Sequence, residues 1–215
     1  MSDERFEQLC DVAGPVSRET FRDLNMLGAL LEHWNQRINL VSPATLPDLW
    51  DRHIIDSAQL FPLARGAETW TDLGSGGGFP GLALACLIKG AGRGRIELVE
   101  SNRKKTAFLI TAVARLHLPA RVAPERIEIH IEKGVRPEIV TARALANLTQ
   151  LLDWCAPWLS AGTRALFHKG REYQGELAES RQHWEFDLVE HPSRVDGTGV
   201  ILEISRLRPR RGTRT

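Results

Sequence analysis

With 215 residues, 42% of them hydrophobic and 26% charged, the chain has the make-up of one folded α/β domain with a modest extension, and it is too short for two catalytic domains. A formal net charge of +1 at pH 7 excludes a protein coated in positive charge, although arginines 206, 208, 210, 211 and 214 crowd the C-terminus and Arg103-Lys104-Lys105 form a second cluster. The three cysteines, Cys10, Cys86 and Cys155, form no Cys-x-x-Cys pair, which argues against structural zinc and for a reducing compartment. The start lacks the apolar core of a signal peptide, and the longest apolar run, Phe79 to Ile88, is about half a membrane span, so the expected location is the cytoplasm.

In chain order, Phe21, Leu24, Leu27, Leu30, Leu31 and Trp34 recur at helical spacing behind Ser17, a suitable N-cap, and predict an amphipathic helix. Asn39-Leu40-Val41-Ser42-Pro43 ends it, and Asp48 to Leu60 reads as another helix. Within that stretch Arg52-His53-Ile54-Ile55-Asp56-Ser57 puts His53 and Asp56 on one face; the spacing leaves open whether they point into a site or form a satisfied surface. With no strand among them, residues 1–60 are expected to be a helical cap on an α/β unit spanning 61–215.

Beyond Trp70 strand and helix alternate. A short strand runs into Gly74-Ser75-Gly76-Gly77-Gly78-Phe79-Pro80-Gly81 and then a helix over Leu82 to Lys89. Ile96 to Glu100 is a strand and Lys104 to Leu116 a helix; Leu118 to Lys133 holds one or two short strands of undetermined register. Glu138 to Ala142 reads as a central strand, Leu145 to Cys155 as a helix, and Arg164 to His168 as a strand. Phe186 to Glu190 and Val200 to Leu207 face each other across a turn with Gly197 and Gly199. The pattern predicts a Rossmann-like, mostly parallel sheet finished by an antiparallel C-terminal hairpin.

The glycine loop is where a small molecule is expected to bind, because glycines allow φ > 0 and a close backbone approach. Gly76, Gly78 and Gly81 satisfy a dinucleotide fingerprint, with Glu100 at the spacing that reading asks for. If Gly74 opens the turn instead, the pattern is acid-x-Gly-x-Gly-x-Gly behind Asp72, which resembles motif I of class I S-adenosylmethionine-dependent methyltransferases. A carboxylate there suits a cationic ligand and repels a pyrophosphate. Glu100 at the next strand tip either accepts hydrogen bonds from ribose hydroxyls or is a helix-capping or solvated acid, and the upstream loop favours the first. Arg143 and Lys169 end two further strands, and each is either a site residue or a solvated cation. The histidines include no His-x-x-x-His, so no metal is expected, and Ser75 lacks the Gly-x-Ser-x-Gly spacing of a nucleophile elbow.

Taken together, Asn39-Leu40-Val41-Ser42, Arg52-His53-Ile54-Ile55-Asp56-Ser57, the stretch Asp72 to Gly81, Thr141-Ala142-Arg143-Ala144-Leu145-Ala146 and Lys169-Gly170 resemble the RsmG (GidB) methyltransferases, from about Trp34 onward. That family methylates N7 of a guanine in bacterial small-subunit (16S) ribosomal RNA. The resemblance implies a class I methyltransferase fold and S-adenosyl-L-methionine as cofactor, held by Asp72, Gly74, Gly76, Gly78, Phe79, Glu100 and Arg143, with Ile127 and Glu128 beside the adenine. It further implies a monomer acting on 16S RNA or the small subunit, with no membrane partner. Guanine N7 carries a lone pair and no proton, so no general base is expected. Arg143 and Lys169 are expected to orient the substrate by gripping phosphate or O6, and the basic clusters to touch further phosphates. Two rivals are an NAD-dependent oxidoreductase and a non-enzymatic RNA-binding module.

Overall fold

The computed structural model describes residues 2–195 and 197–210. A seven-stranded sheet runs in the order β3-β2-β1-β4-β5-β7-β6. Strands β1 (Thr69–Leu73), β2 (Arg95–Val99), β3 (Ala120–Ala123), β4 (Ile139–Arg143) and β5 (Arg164–Lys169) are parallel, while β6 (Trp184–Pro192) and β7 (Val200–Pro209) form the antiparallel hairpin. Strand addition reverses between β1 and β4, so a crevice opens beyond their carboxyl ends, the place where sheets of this kind bind ligands. Glu138 fixes the other end, accepting hydrogen bonds from the amides of Glu68 (2.6 Å) and Thr69 (2.9 Å).

Helix α1 (Ser2–Ala13), absent from the sequence reading, buries Leu9, Val12 and Ala13 in the core under α2 (Arg18–Asn35). Ser17 caps α2 as predicted, its Oγ accepting from the Thr20 amide at 3.1 Å. The single helix expected over Asp48 to Leu60 is instead a π-helical turn, Trp50–Ile55, followed by one short turn, α3 (Asp56–Ala58). The wider turn lets Trp50, His53, Ile54 and Ile55 all face inward, which an α-helical turn of that length does not. Helix α4 (Gly81–Ala91), apolar on every side, lies between the cap and the sheet, with everything from Gly81 to Ile88 buried. Cap and sheet thus share one apolar core.

Beside α4, and packed into the same core through Phe108, Leu109 and Ala112, α5 (Arg103–Arg115) starts at Asn102, whose side chain accepts from the amides of Lys104 and Lys105. The stretch expected to hold one or two strands holds one, β3, and a short helix, α6 (Ile127–Glu132). Helix α7 (Leu148–Leu159) is capped by Asn147. Helix α8 (Tyr173–His183) escaped sequence reading because it buries only Leu177 and Ser180, too few for a periodic signal. Cys86 in α4 and Cys155 in α7 are buried apolar fillers. Among the described residues no helix is long and apolar enough to cross a membrane. Strand β7 begins beside Lys169 and ends beside Trp184, so Arg206, Arg208 and Arg210 leave the sheet at the end opposite the glycine loop; Arg206 is paired there with Asp187. Arg211 and Arg214 lie outside the described residues.

Candidate active site

The chain leaves β1 through Gly74, Gly76 and Gly78, with φ of 63°, 53° and 88°. This alternation is the geometry of the reading in which Gly74 opens the turn, since any other residue at these positions is strained. Gly81 has a different reason to be glycine: a Cβ there would lie 2.6 Å from Oδ2 of Asp72 and 2.5 Å from Leu98. Gly74 and Gly76 keep partial exposure and form the floor of an open cradle. Gly77 is covered by the cap, where a Cβ would stand 2.7 Å from the Leu40 carbonyl oxygen. Asn35 holds that cap turn in place, its Oδ1 accepting from the amides of Leu40 (2.8 Å) and Val41 (3.0 Å).

Asp72, the carboxylate expected to suit a cationic ligand, is 0% exposed and sits behind the loop. Thr141 donates to its Oδ1 at 2.8 Å, while Oδ2 has no hydrogen-bond partner among the described residues. Burial pushes its carboxyl up to about 6, against the lowering effect of the Thr141 hydroxyl.

Glu100 stands directly at the cradle. The Gly76 amide donates to its Oε2 at 2.9 Å and the Asn102 amide to its Oε1 at 2.7 Å, which leaves one lone pair on each oxygen for a ligand hydroxyl. Lys105 approaches from α5, its Nζ 3.9 Å from where a Gly76 Cβ would be. Phe79 is buried, its ring 5.2 Å from the His53 ring and 5.7 Å from the Arg143 guanidinium, so it is a wedge between cradle and cap. Ile127, half-buried, and Glu128, exposed, open α6 beyond the β3 tip, at the same edge of the sheet but with no hydrogen bond to the loop.

On the other side of the β4 tip lies a cavity of about 640 Å³ whose wall includes Thr45, Arg52, His53, Asp56, Arg143 and Lys169. Arg143 is its centre of organisation. Nη1 donates to the Arg52 carbonyl and to Oδ2 of Asp56, both at 2.9 Å, and Nη2 donates to Nδ1 of His53 at 2.6 Å. Because a guanidinium only donates, His53 Nδ1 is the acceptor, and its proton sits on Nε2, facing Thr45 Oγ1 at 2.9 Å. Burial, then the Arg143 charge, lowers the His53 pKa to about 4, so the ring is neutral near pH 7. His168, paired with Arg143 across the strands, donates from Nε2 to the Asp56 carbonyl at 2.9 Å and is likewise held below its usual value by burial. The face of His53 and Asp56, left open by spacing alone, therefore points into the site.

Lys169 lines the same cavity but is not free. Only 7% exposed, it donates to Glu176 Oε2 at 2.6 Å and to the Ala146 carbonyl at 2.7 Å. Glu176 also accepts from the Leu148 amide at 2.6 Å, tying α8 to the start of α7. Of the residues predicted for the site, the structure gathers the loop and Glu100 in one compartment and Arg143 with Lys169 in the adjoining one. Sequence reasoning did not single out Thr45, Arg52 or His168, although Arg52 and His168 stood next to residues it did.

A family model described as rRNA small subunit methyltransferase G matches residues 20–200. Proteins named ribosomal RNA small subunit methyltransferase G from Brucella canis and Brucella abortus are each 56% identical over 207 residues, covering 96% of this chain and 97% of theirs. Among solved structures, the ribosomal protein L11 methylase of Lactobacillus delbrueckii subsp. bulgaricus superposes with a TM-score of 0.55 at 14% identity, over 71% of this chain and 77% of that one. A mutant of MtNAS in complex with S-adenosylmethionine gives a TM-score of 0.55 at 14% identity, over 85% of this chain and 74% of that one. At such identities the structural likeness bears on the fold alone.

Proposed function

The chain belongs to the rRNA small subunit methyltransferase G family, and from that membership we propose that it transfers a methyl group from S-adenosylmethionine to N7 of a guanine in an unpaired loop of 16S ribosomal RNA. The observation that carries this reading is the 56% identity over 96% of the chain. The dinucleotide and non-enzymatic alternatives fall with it.

The residues present fit the cofactor. A cradle of left-handed glycines at 74, 76 and 78, which any Cβ would fill or strain, faces a carboxylate with lone pairs to spare. When bound, S-adenosylmethionine supplies an electrophilic methyl group on a sulfonium. Gly74 and Gly76 offer backbone contact, Glu100 accepts from the ribose hydroxyls, Ile127 and Glu128 flank the adenine, and buried Asp72 adds negative potential behind the loop. Gly78 and Phe79 shape the loop's exit toward the cap. Arg143, at the partition between cradle and cavity, and Lys169 orient the guanine by presenting N–H donors toward its carbonyl edge.

No proton has to leave guanine N7, so the work of these side chains is alignment and exclusion of water. The His53 lone pair is already taken by Arg143, which suits a site without a general base. The target must be unpaired, because the base edges of an A-form duplex do not reach such a cavity. A monomer acting in the cytoplasm, where ribosomal RNA is made, completes the reading.

Mass mapping of small-subunit RNA before and after incubation with the protein and cofactor tests it. A gain of one methyl on a loop guanine is expected. RNA of unchanged mass from a protein that binds S-adenosylhomocysteine would refute the assignment of substrate.

A further inference from the structure

Three cationic side chains stand on the wall of the cavity beside β4: Arg52, Arg143 and Lys169. Two are compensated where they stand. Arg143 is closed onto Asp56 and Lys169 onto Glu176, with both cations largely buried. The histidines on the same wall are neutral for the reasons given above. Arg52 differs. Its backbone carbonyl braces Arg143, but its side chain is exposed and makes no ion pair or hydrogen bond with any described residue.

Resting on the proposed RNA substrate, we infer that Arg52 takes an RNA phosphate at the mouth of the acceptor cavity, while Arg143 and Lys169 stay paired with Asp56 and Glu176 as electrically neutral parts of its wall. The physical reason is the difference in what each cation must give up. To grip a phosphate, Arg143 or Lys169 has to abandon a carboxylate that then remains buried and uncompensated. Arg52 gives up only water and counterions, and its planar fork matches two phosphate oxygens at once. The acceptor chemistry favours the same division. Methylation leaves a positive charge on the guanine ring, and a wall whose cations are matched by carboxylates does not repel it, whereas a phosphate-bound arginine at the mouth is kept apart from the base.

The test uses the full chain loaded with S-adenosylhomocysteine and in-vitro-transcribed small-subunit RNA, with affinity measured over a range of salt. Arg52→Gln leaves the backbone carbonyl that holds Arg143 intact. It is expected to weaken RNA binding several-fold at low salt and to reduce the slope of log affinity against log salt by about 0.7, the value for one single-stranded phosphate contact. Arg52→Lys should restore most of that slope, and Arg52→Glu should weaken binding further. Affinity for S-adenosylhomocysteine and the melting midpoint should not move. An unchanged salt slope in Arg52→Gln would overturn the inference, as would an equal loss of slope in Lys169→Met, which would make Lys169 the phosphate ligand. Loss of cofactor affinity in Arg52→Gln would move Arg52 into the donor compartment and overturn it too. If the unaltered protein neither binds nor methylates the RNA, the fault lies with the proposed function; if it methylates normally and only the Arg52 result fails, the fault lies here.

Discussion

Nδ1 of His53 accepts a hydrogen bond from Nη2 of Arg143 at 2.6 Å, so a π-helical turn of the cap and the tip of the central strand share one proton. That proton can belong only to the arginine. A second proton on Nδ1 would set two cationic donors face to face and break the brace between cap and sheet.

Acidification should therefore loosen the cap. The folded-state pKa of His53, about 4, lies below the ordinary 6.5, so the unfolded chain binds the proton more readily and stability rises with pH across that window. The stability advantage of the unaltered protein over His53→Asn is expected to shrink as pH falls from 6.5 to 4. Thermal melting of both across this range checks it; a gap that does not vary with pH would contradict the assigned protonation.

Asp72 acts with the opposite sign. Its folded pKa, raised to about 6 from 3.8, makes the neutral carboxyl the stable one, so the associated stability is complete below 3.8 and is lost as pH rises through 6. Asp72→Asn keeps an acceptor for Thr141 and should be the more stable protein above pH 6, by at most about 3 kcal/mol, with the difference gone below pH 4. Denaturant unfolding at pH 8 and pH 3.5 reads this directly.

The cradle glycines should fail in distinguishable ways. Ala at 76 meets only a left-handed φ of 53°, with its nearest neighbour 3.5 Å away, and is expected to cost about 1–2 kcal/mol of stability while its methyl obstructs the ligand. Ala at 74 adds a clash with Leu145 at 2.5 Å and should cost more. Calorimetry with S-adenosylhomocysteine should show weakened binding for both; full affinity in Gly76→Ala would remove the cradle from the binding site.

Lys169 and Glu176 should behave as a pair. Lys169→Met leaves the Glu176 carboxylate facing the cavity without its cation and is expected to cost about 3 kcal/mol, whereas the double change Lys169→Met with Glu176→Gln should recover a good part of that. A double-mutant cycle of unfolding free energies gives the coupling, and simple additivity would mean the ion pair contributes nothing.

The succession of strands and the glycine loop were legible because each rests on local signals, apolar runs of strand length and glycines where φ must be positive, whereas the order of the strands in the sheet emerges only from their pairing. The Arg52 to Asp56 segment was legible as a motif but not as a π-helical turn, because no period in Trp50 to Ile55 distinguishes five-residue from four-residue hydrogen bonding. Helices α1 and α8 bury too few side chains to announce themselves. Asp72 was read as part of the ligand site because a carboxylate ahead of the glycine turn suits a cation; its enclosure depends on Thr141 and Gly81, which only the packed sheet brings beside it. The pairing of Lys169 with Glu176 crosses from a strand to the following helix and depends on where α8 folds back.

The Leu40 carbonyl rests on Gly77, and residues Arg52 to Asp56 hold Arg143, so one short run of chain is the outer wall of both compartments. With the donor in the cradle and the acceptor in the cavity, as proposed above, both would lie against the same piece of backbone. On that proposal, a displacement between positions 39 and 56 would be felt by nucleotide and methyl source together, without any messenger passing through the sheet.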